Sequence, residues 1–292
     1  MKTQRRQILK GAAALTAASA LNPTRTAFAA IANTDFNEQV KRVQNILLRH
    51  LSAQGYIEIE SSPLVTENHD FNGGLQFDTS TIPAAHGQIV VQPSARIGDI
   101  SQKNRHDVLP IFHILRFDRL VNQSVSDGLK DGLNTLTGPL ELDVERLVFV
   151  SVPAFEAFRS VLEESGIDWA RQVYLRDDQE ARHAKDGSGY FQYPGNDNAP
   201  LLLTAAAHYC LDDKRPDGKL SYPVPSNMTE IGELLLDPEN LISAGFGIER
   251  LAYAQSGSIP SWEDRLVDLL SEIEAASAGR TTPPAKVLFE KG

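Results

Sequence analysis

This sequence is poor in the residues that form disulfide frameworks and compact metal sites. Its 292 residues include one cysteine, Cys210, so no disulfide can form within the chain. Seven histidines are scattered between positions 50 and 208, and no pair has the short spacing of a zinc-binding motif. The composition therefore predicts neither a disulfide-stabilised secreted scaffold nor a structural zinc domain.

The N-terminal segment also lacks a hydrophobic run long enough to cross a membrane. Its apolar stretch, residues 11–21, is too short and too rich in Ala, Ser and Thr for a transmembrane helix. Arg5-Arg6 precede this stretch and Ala27-Phe28-Ala29 follow it, an order that resembles a twin-arginine export signal. We expect residues 1–29 to be this signal and residues 30–292 to be one periplasmic or secreted domain without membrane attachment. The alternative is a frayed amphipathic N-terminal segment.

The chain also has fewer basic than acidic residues. The whole chain carries 28 basic and 38 acidic residues, for a net charge of −10. Residues 1–29 contain five of the basic and none of the acidic residues, so the remaining domain has a net charge of −15. A surface this negative repels a phosphate backbone, and no cluster of lysine and arginine offsets it. We therefore expect no tRNA or DNA partner.

The apolar pattern predicts a sheet with helices packed on it. Helical spacing marks residues 35–54, with Asp35 and Glu38 as the N-terminal cap and Gly55 as the stop. Further helices are predicted over 154–166, from Ile248 to Gly257, and over 261–279. Strands are predicted over 56–65, 88–97, 109–121, 146–152, 229–237 and 240–247. Residues 182–200 are rich in Gly, Asn and Pro and are predicted to be a surface loop or lid. Because regular helical crossovers do not separate the strands, the fold class is α+β, an antiparallel sheet flanked by helices.

The segment ISAGFGIERLAYAQSG, residues 242–257, holds the strongest candidate site. Gly245 and Gly247 lie where a strand turns into a helix, and Arg250 lies on the first helical turn. Two missing side chains let a ligand lie against the backbone, and a guanidinium there can bind phosphate oxygens in a bidentate manner. The alternative is that the glycines only allow the helix to pack on the sheet.

Three segments in this order resemble the three motifs of class II aminoacyl-tRNA synthetases. They are GYIEIESSPLV (55–65), QPSARIGDI (92–100) with RHDVLPIFHILRF (105–117), and ISAGFGIERLAYAQSG. The chain is most similar to the catalytic domain of the alanyl family, over about residues 36–270. The resemblance implies ATP and magnesium as cofactors, a small amino acid or derivative as substrate, and a homodimer formed through the first motif. The tRNA-binding and editing domains of the family are expected to be absent.

The resemblance also implies a role for individual residues. Arg96 would hold the α-phosphate and the activated carboxylate, Arg250 the γ-phosphate, and Phe112 would stack on adenine. The other residues implied in cofactor binding are Asp99, Arg105, His106, Glu230, Gly245 and Gly247. His113 stands where the family has a glutamate and is a candidate catalytic proton carrier, together with Arg96 and Arg250.

Other positions depart from the alanyl pattern. Ser243-Ala244 replace an aspartate that holds the amino group of alanine, and Gly232-Glu233 replace a tryptophan and an asparagine. Several candidates also have a structural alternative: Arg96 and Asp99 as a surface ion pair, Phe112 as a core residue, and His106 and His113 as ordinary strand residues. Glu249 is predicted to orient Arg250 or to cap the helix.

Three functions remain open at this point. The first is an enzyme that activates an amino or carboxylic acid as an adenylate and transfers it to an acceptor other than tRNA. The second is an ATP-independent enzyme that acts on an amino-acid-derived metabolite. The third is a non-catalytic binding module for an anionic small molecule. The pair Arg96 and Arg250 favours the first function, whereas the altered amino-acid pocket favours the other two.

Overall fold

The fold is described from a computed structural model, for residues 23–61, 87–95, 109, 111–120, 124–192, 200–212, 224, 227–236 and 241–257. In these residues the strands are β1 (Ile57–Glu58), β2 (Gln88–Ala95), β3 (Ile111–Leu120), β4 (Leu147–Ser151), β5 (Val173–Leu175), β6 (Tyr190–Phe191), β7 (Leu202–Cys210), β8 (Met228–Leu236) and β9 (Leu241–Gly247). The α-helices are α1 (Pro23–Ala53), α2 (Val125–Thr137), α3 (Arg159–Glu164), α4 (Trp169–Gln172), α5 (Asp178–Ala184) and α6 (Ile248–Ser256). Short 3₁₀ helices cover Val144–Arg146 and Pro153–Phe158.

The strands form one sheet in the order β1-β2-β3-β9-β8-β7-β4-β5, and β6 pairs with β7. The pairs β1–β2 and β4–β5 at its two ends are parallel, while every other pair among the described strands is antiparallel. The predicted α+β class is confirmed, with the addition of these two parallel pairs. The chain positions of β2, β3, β4, β8 and β9 also agree with the strands predicted from the apolar pattern.

The two faces of the sheet have different chemistry. One face packs against α1, α2 and α6, and side chains such as Leu115, Phe117 and Phe246 form the core with these helices. Alternate residues of the same strands point the other way, and on β3 these include Arg116 and Asp118. We call this second side of the sheet the polar face. It is the side on which the candidate site lies.

Helix α1 corrects one prediction. The helix begins at Pro23 and continues through Asp35, so Asp35 is not an N-terminal cap. Residues 23–34 are rich in alanine, the residue with the highest helix propensity, and proline is well tolerated in the first turn. The Glu38 carboxylate accepts a hydrogen bond from Lys41 Nζ instead of serving a cap. The predicted stop is confirmed, because Gly55 follows the helix with a φ of +93°.

Other predictions were incomplete. The strand predicted over 56–65 is only the two residues of β1 in the described part, and the helix predicted over 154–166 starts as a 3₁₀ helix before α3. The region predicted as a loop over 182–200 contains the end of α5 and strand β6. Helix α2 and strand β7 were not predicted. The helix predicted over 261–279 lies outside the described residues.

Candidate functional site

The junction between β9 and α6 holds the two glycines and the arginine found in the sequence. Gly247 is the last residue of β9 and directly precedes α6, whose C-terminal Gly257 has a φ of +67° as suits a helix stop. Gly245 lies between Arg116 of β3 and Glu233 of β8, because it is in register with both. The floor of the polar face is therefore bare backbone at this point, with a charged residue on each neighbouring strand.

Packing does not explain this pair of glycines. A methyl group at Gly245 would have Ile114 Cγ2 as its nearest neighbour at 3.5 Å, and one at Gly247 would lie 3.7 Å from the Arg250 side chain. Both are ordinary van der Waals distances. Gly232 of β8 is different, because a methyl group there would overlap the carbonyl oxygen of Gly245 and the ring of Phe246. Gly232 is thus the glycine that close packing requires, while Gly245 and Gly247 leave space above the sheet.

Arg250 is anchored to β8 at the edge of this space. Its Nη1 donates a hydrogen bond to the backbone oxygen of Glu230 over 3.1 Å and lies 3.6 Å from Glu230 Oε2. The Arg250 side chain keeps 22% of its surface accessible, and that of Glu230 keeps 35%. The structure therefore brings two of the predicted residues together, as a cation held beside a carboxylate with part of its surface facing solvent.

His208 adds a group to this pair that the sequence analysis did not single out. It lies on β7 directly opposite Glu230, just after an irregularity in the β7–β8 register, and is 7% exposed. Burial lowers the pKa of His208, the Glu230 carboxylate and a hydrogen bond with the backbone of Ala206 raise it, and the nearby Arg250 guanidinium lowers it. The imidazole is therefore mainly neutral at pH 7. Its sequence context, AAAHYC, carries no local signal because the partners come from β8 and α6.

Glu249 binds β3 and not Arg250. Its carboxylate accepts the backbone N–H of His113 at 2.9 Å with Oε2 and contacts His113 Nδ1 at 2.8 Å with Oε1. The pairing of β3 with β9 runs only as far as Ile114 and Gly247, so the carboxylate replaces the strand partner that His113 lacks on this side. This corrects the prediction that Glu249 orients Arg250 or caps the helix.

Phe112 and His113 are consecutive residues near the start of β3, so their side chains point to opposite faces of the sheet. His113 is 32% exposed while it contacts Glu249, and Phe112 is half-buried in register with Ser94 of β2. Stacking of Phe112 on adenine and proton transfer by His113 stay predictions. The remaining candidates, Arg96, Asp99, Arg105 and His106, lie outside the described residues.

A second set of charges on the polar face was also missed. Arg116 Nε donates to Asp118 Oδ1 over 2.9 Å, and both side chains are almost fully buried. The carboxylate of Glu233 lies against Gly187, where a β-carbon would overlap it. Arg116 and Asp118 alternate with Leu115 and Phe117, and this alternation could have indicated that β3 has one polar side.

The described residues contain neither a cluster of metal-binding side chains nor a membrane-spanning helix. No group of three or more His, Cys, Asp or Glu side chains there is arranged to hold a metal ion. Among the same residues, no helix has the length and apolar character needed to cross a membrane. Cys210 is buried and forms no disulfide. Burial is the main reason why the pKa of its thiol rises to about 11, and the neighbouring Asp212 carboxylate contributes to the rise.

The chain is similar to known proteins in structure only. No protein-family model and no curated protein matches this sequence. The chain is similar to histidyl-tRNA synthetase from S. aureus, with 11% identity and a TM-score of 0.41 over 87% of this chain and 81% of that one. It is also similar to asparaginyl-tRNA synthetase from Pyrococcus horikoshii complexed with asparaginyl-adenylate, with 14% identity, a TM-score of 0.42 and coverage of 83% and 68%. Aspartyl-tRNA synthetase from Entamoeba histolytica gives 12% identity and a TM-score of 0.42, over 78% of this chain and 58% of that one. At such low identity and TM-score these matches carry no argument about reaction or substrate.

Proposed function

We propose that this chain is a class II synthetase-like catalytic domain of the alanyl type that activates or transfers a small amino acid or a derivative of one. The observation that carries this proposal is the β9–α6 junction. There, a partly exposed Arg250 stands beside two glycines that packing does not require. An arginine above bare backbone is suited to bind a phosphate chain that lies flat on the sheet.

The proposed site has a place for each part of ATP. Arg250 would bind the terminal phosphate, and the backbone at Gly245 and Gly247 would allow the nucleotide to approach the sheet. Phe112 would stack on adenine at the same end of β3. Arg96 would hold the α-phosphate, with Asp99, Arg105, His106 and Glu230 completing the nucleotide-binding set and magnesium accompanying the phosphates. Bound ATP would supply the leaving group for attack by a substrate carboxylate.

The proposal includes the location and the partners of the domain. A twin-arginine signal over residues 1–29 would deliver the domain to the periplasm or outside the cell. The acceptor would be a small molecule, because the acidic surface disfavours tRNA. We also propose a homodimer formed through α1 and β1, where Ile57 is 45% exposed at the edge of the sheet. Analytical ultracentrifugation of residues 30–292 tests this; a monomer at all concentrations would contradict the dimer.

A second candidate function keeps the anion site and dispenses with ATP. The chain would then be an ATP-independent enzyme or a binding module for an anionic metabolite. The observation that favours it is Ala244, which packs in the core and offers no carboxylate to the site, whereas the alanyl family is expected to have an aspartate near the substrate in this segment. In this case Arg250 would bind a carboxylate or phosphate of the metabolite, and His113 would be the proton carrier of the enzyme.

The experiment that separates these functions is amino-acid-dependent exchange of labelled pyrophosphate into ATP. Residues 30–292 are assayed with magnesium and a panel of amino acids, alongside Arg250→Ala and Arg49→Ala. Arg49 is a matched control, since it is exposed on α1 and its removal changes the charge equally. We expect exchange with at least one amino acid, unchanged in Arg49→Ala and reduced roughly tenfold to a hundredfold in Arg250→Ala, the usual range for a hydrogen bond to a charged group. Absence of exchange, with no stabilisation of the protein by ATP, would contradict adenylation and favour the second function.

A further inference from the structure

His208 is a buried polar side chain for which neither proposed function has a use. It is 7% exposed, and its Nδ1 is buried without a hydrogen-bond partner among the described residues. A buried nitrogen of this kind is costly unless it gains a partner, such as an ordered water or a side chain that turns toward it. The residue directly across from it is Glu230, the same carboxylate that contacts Arg250.

Glu230 is the common neighbour of the other two side chains. It lies opposite the neutral His208 and beside the charged Arg250. Arg250 is held mainly by the backbone oxygen of Glu230 at 3.1 Å, while the distance from its Nη1 to the Glu230 carboxylate is longer, at 3.6 Å. An anion that binds Arg250 therefore competes with that carboxylate for the guanidinium. It also places a second negative charge close to Glu230, which is unfavourable in a partly buried site.

We propose that His208 is a positioning residue for anion binding at Arg250: it takes up one proton from solvent as the anion arrives and pairs with Glu230. The Glu230 carboxylate then turns from Arg250 to the imidazolium, and the guanidinium is released to the anion. The proton returns to solvent when the anion leaves. This inference rests on the assignment of Arg250 as the anion-binding group in the proposed function.

The direction of the pH dependence follows from the charges around the imidazole. Among the described residues, the charged groups that act on His208 are Glu230 of β8 and Arg250 of α6, and the neighbouring β4 places the apolar Val148 in register with it. Without an anion, burial lowers the pKa of His208, so the ring is neutral at pH 7. A bound anion favours the imidazolium and raises this pKa. Anion affinity must therefore fall as the pH rises between the two pKa values.

The test uses sulfate, which stays a dianion over the whole range from about pH 5 to 8. Sulfate affinity of residues 30–292 is measured by calorimetry in buffers of different ionisation enthalpy, and the histidine rings are followed by NMR. We expect binding to be at least about fivefold tighter at the acid end, the lower limit of usual coupling between two sites, with uptake of close to one proton. Addition of sulfate should raise the pKa of the His208 ring.

Four variants make the test specific to this mechanism. His208→Gln should bind sulfate without proton uptake, whereas His183→Gln, an exposed histidine on α5, should behave as the wild type. Glu230→Gln removes the charge that needs compensation, so it should bind sulfate more tightly than the wild type at the alkaline end and lose the pH dependence. A merely structural role of His208 would not give a proton uptake that is lost in both His208→Gln and Glu230→Gln. Arg250→Ala should lose sulfate binding.

Each outcome decides the inference independently of the proposed enzyme activity. Sulfate binding that is lost in Arg250→Ala but takes up no proton, or takes up the same proton in His208→Gln, would overturn the role of His208 and leave adenylation untouched. Proton-linked binding without pyrophosphate exchange would support the role of His208 and contradict the enzyme. Absence of sulfate binding would overturn both the role of His208 and the anion site.

Discussion

Glu249 shows how one carboxylate can complete a sheet. Strand β9 turns into α6 after Gly247, so the backbone N–H of His113 on the adjacent strand has no strand partner there, and Glu249 accepts it. The carboxylate is 2% exposed and also contacts the His113 ring. Two contacts with His113 of β3 therefore hold the Glu249 carboxylate where β3 meets α6.

The contribution of this carboxylate to stability can be measured with one substitution. Glu249→Ala removes the carboxylate that accepts the His113 backbone N–H, so we expect the free energy of unfolding to fall by about 1–3 kcal/mol. Glu249→Gln retains an acceptor oxygen and should lose less. Urea unfolding followed by circular dichroism gives both values.

A matched control is Glu163→Ala, which removes an exposed ion pair with Arg159 on α3. That change should lower the free energy of unfolding by less than about 0.5 kcal/mol. Equal losses in Glu249→Ala and Glu163→Ala would show that the Glu249 contacts do not stabilise the junction.

At the scale of elements, β8, β9 and α6 separate the glycines into two kinds. Gly232 permits the backbones of β8 and β9 to lie close together, with Phe246 against it, whereas Gly245 and Gly247 each have room for a methyl group among the described residues. Inspection of the sequence could not make this distinction. The close contact at Gly232 depends on its register opposite Phe246, and the space above Gly245 depends on which side of β9 faces away from the helices.

Alanine substitutions at Gly232 and Gly245 test this division of roles. Gly232→Ala should lower the free energy of unfolding by about 1–3 kcal/mol, because the added methyl group has no space. Gly245→Ala should change stability by less than about 1 kcal/mol but weaken ATP binding, since the methyl group occupies the floor of the proposed site. Thermal unfolding with and without ATP measures both effects. A large loss of stability in Gly245→Ala with normal ATP stabilisation would contradict the proposed site and return the glycine to a packing role.

At the scale of the whole molecule, the net charge limits the kind of ligand that the polar face can bind. The domain predicted to follow the signal has a net charge of −15, and the polar face concentrates its cations at a few positions, among them Arg116 and Arg250. The acidic surface repels a long anionic polymer. A ligand that binds these cations is therefore expected to be small. Small anionic molecules meet this condition, and they are available outside the cytoplasm.

The proposed export signal is tested by replacing both of its arginines. Arg5→Lys with Arg6→Lys keeps the charge but removes the guanidinium groups, so we expect the protein to stay in the cytoplasm. Lys2→Arg serves as the control and should be exported normally. Cell fractionation followed by immunoblotting gives the distribution, and a periplasmic double variant would show that this segment is not a twin-arginine signal.

Sequence alone determined those features in which the information lies in neighbouring residues. The strands β2 and β3, the apolar strands β8 and β9, and the glycine that ends α6 were predicted because each depends on residues a few positions apart. The same local evidence marked the glycine pair and Arg250. It failed for the start of α1, where alanine-rich residues extend the helix beyond an apparent cap, and for α2 and β7.

Only the tertiary structure decided which of these residues meet. His208 lies opposite Glu230 because β7 and β8 pair in one particular register. Arg250 reaches Glu230 because β9, the strand next to β8, leads directly into α6. Glu249 and His113 are 136 positions apart in the chain and meet through the pairing of β3 with β9. Strand register depends on the packing of the whole sheet and not on local propensity, so the sequence could name candidate side chains but not the group that they form.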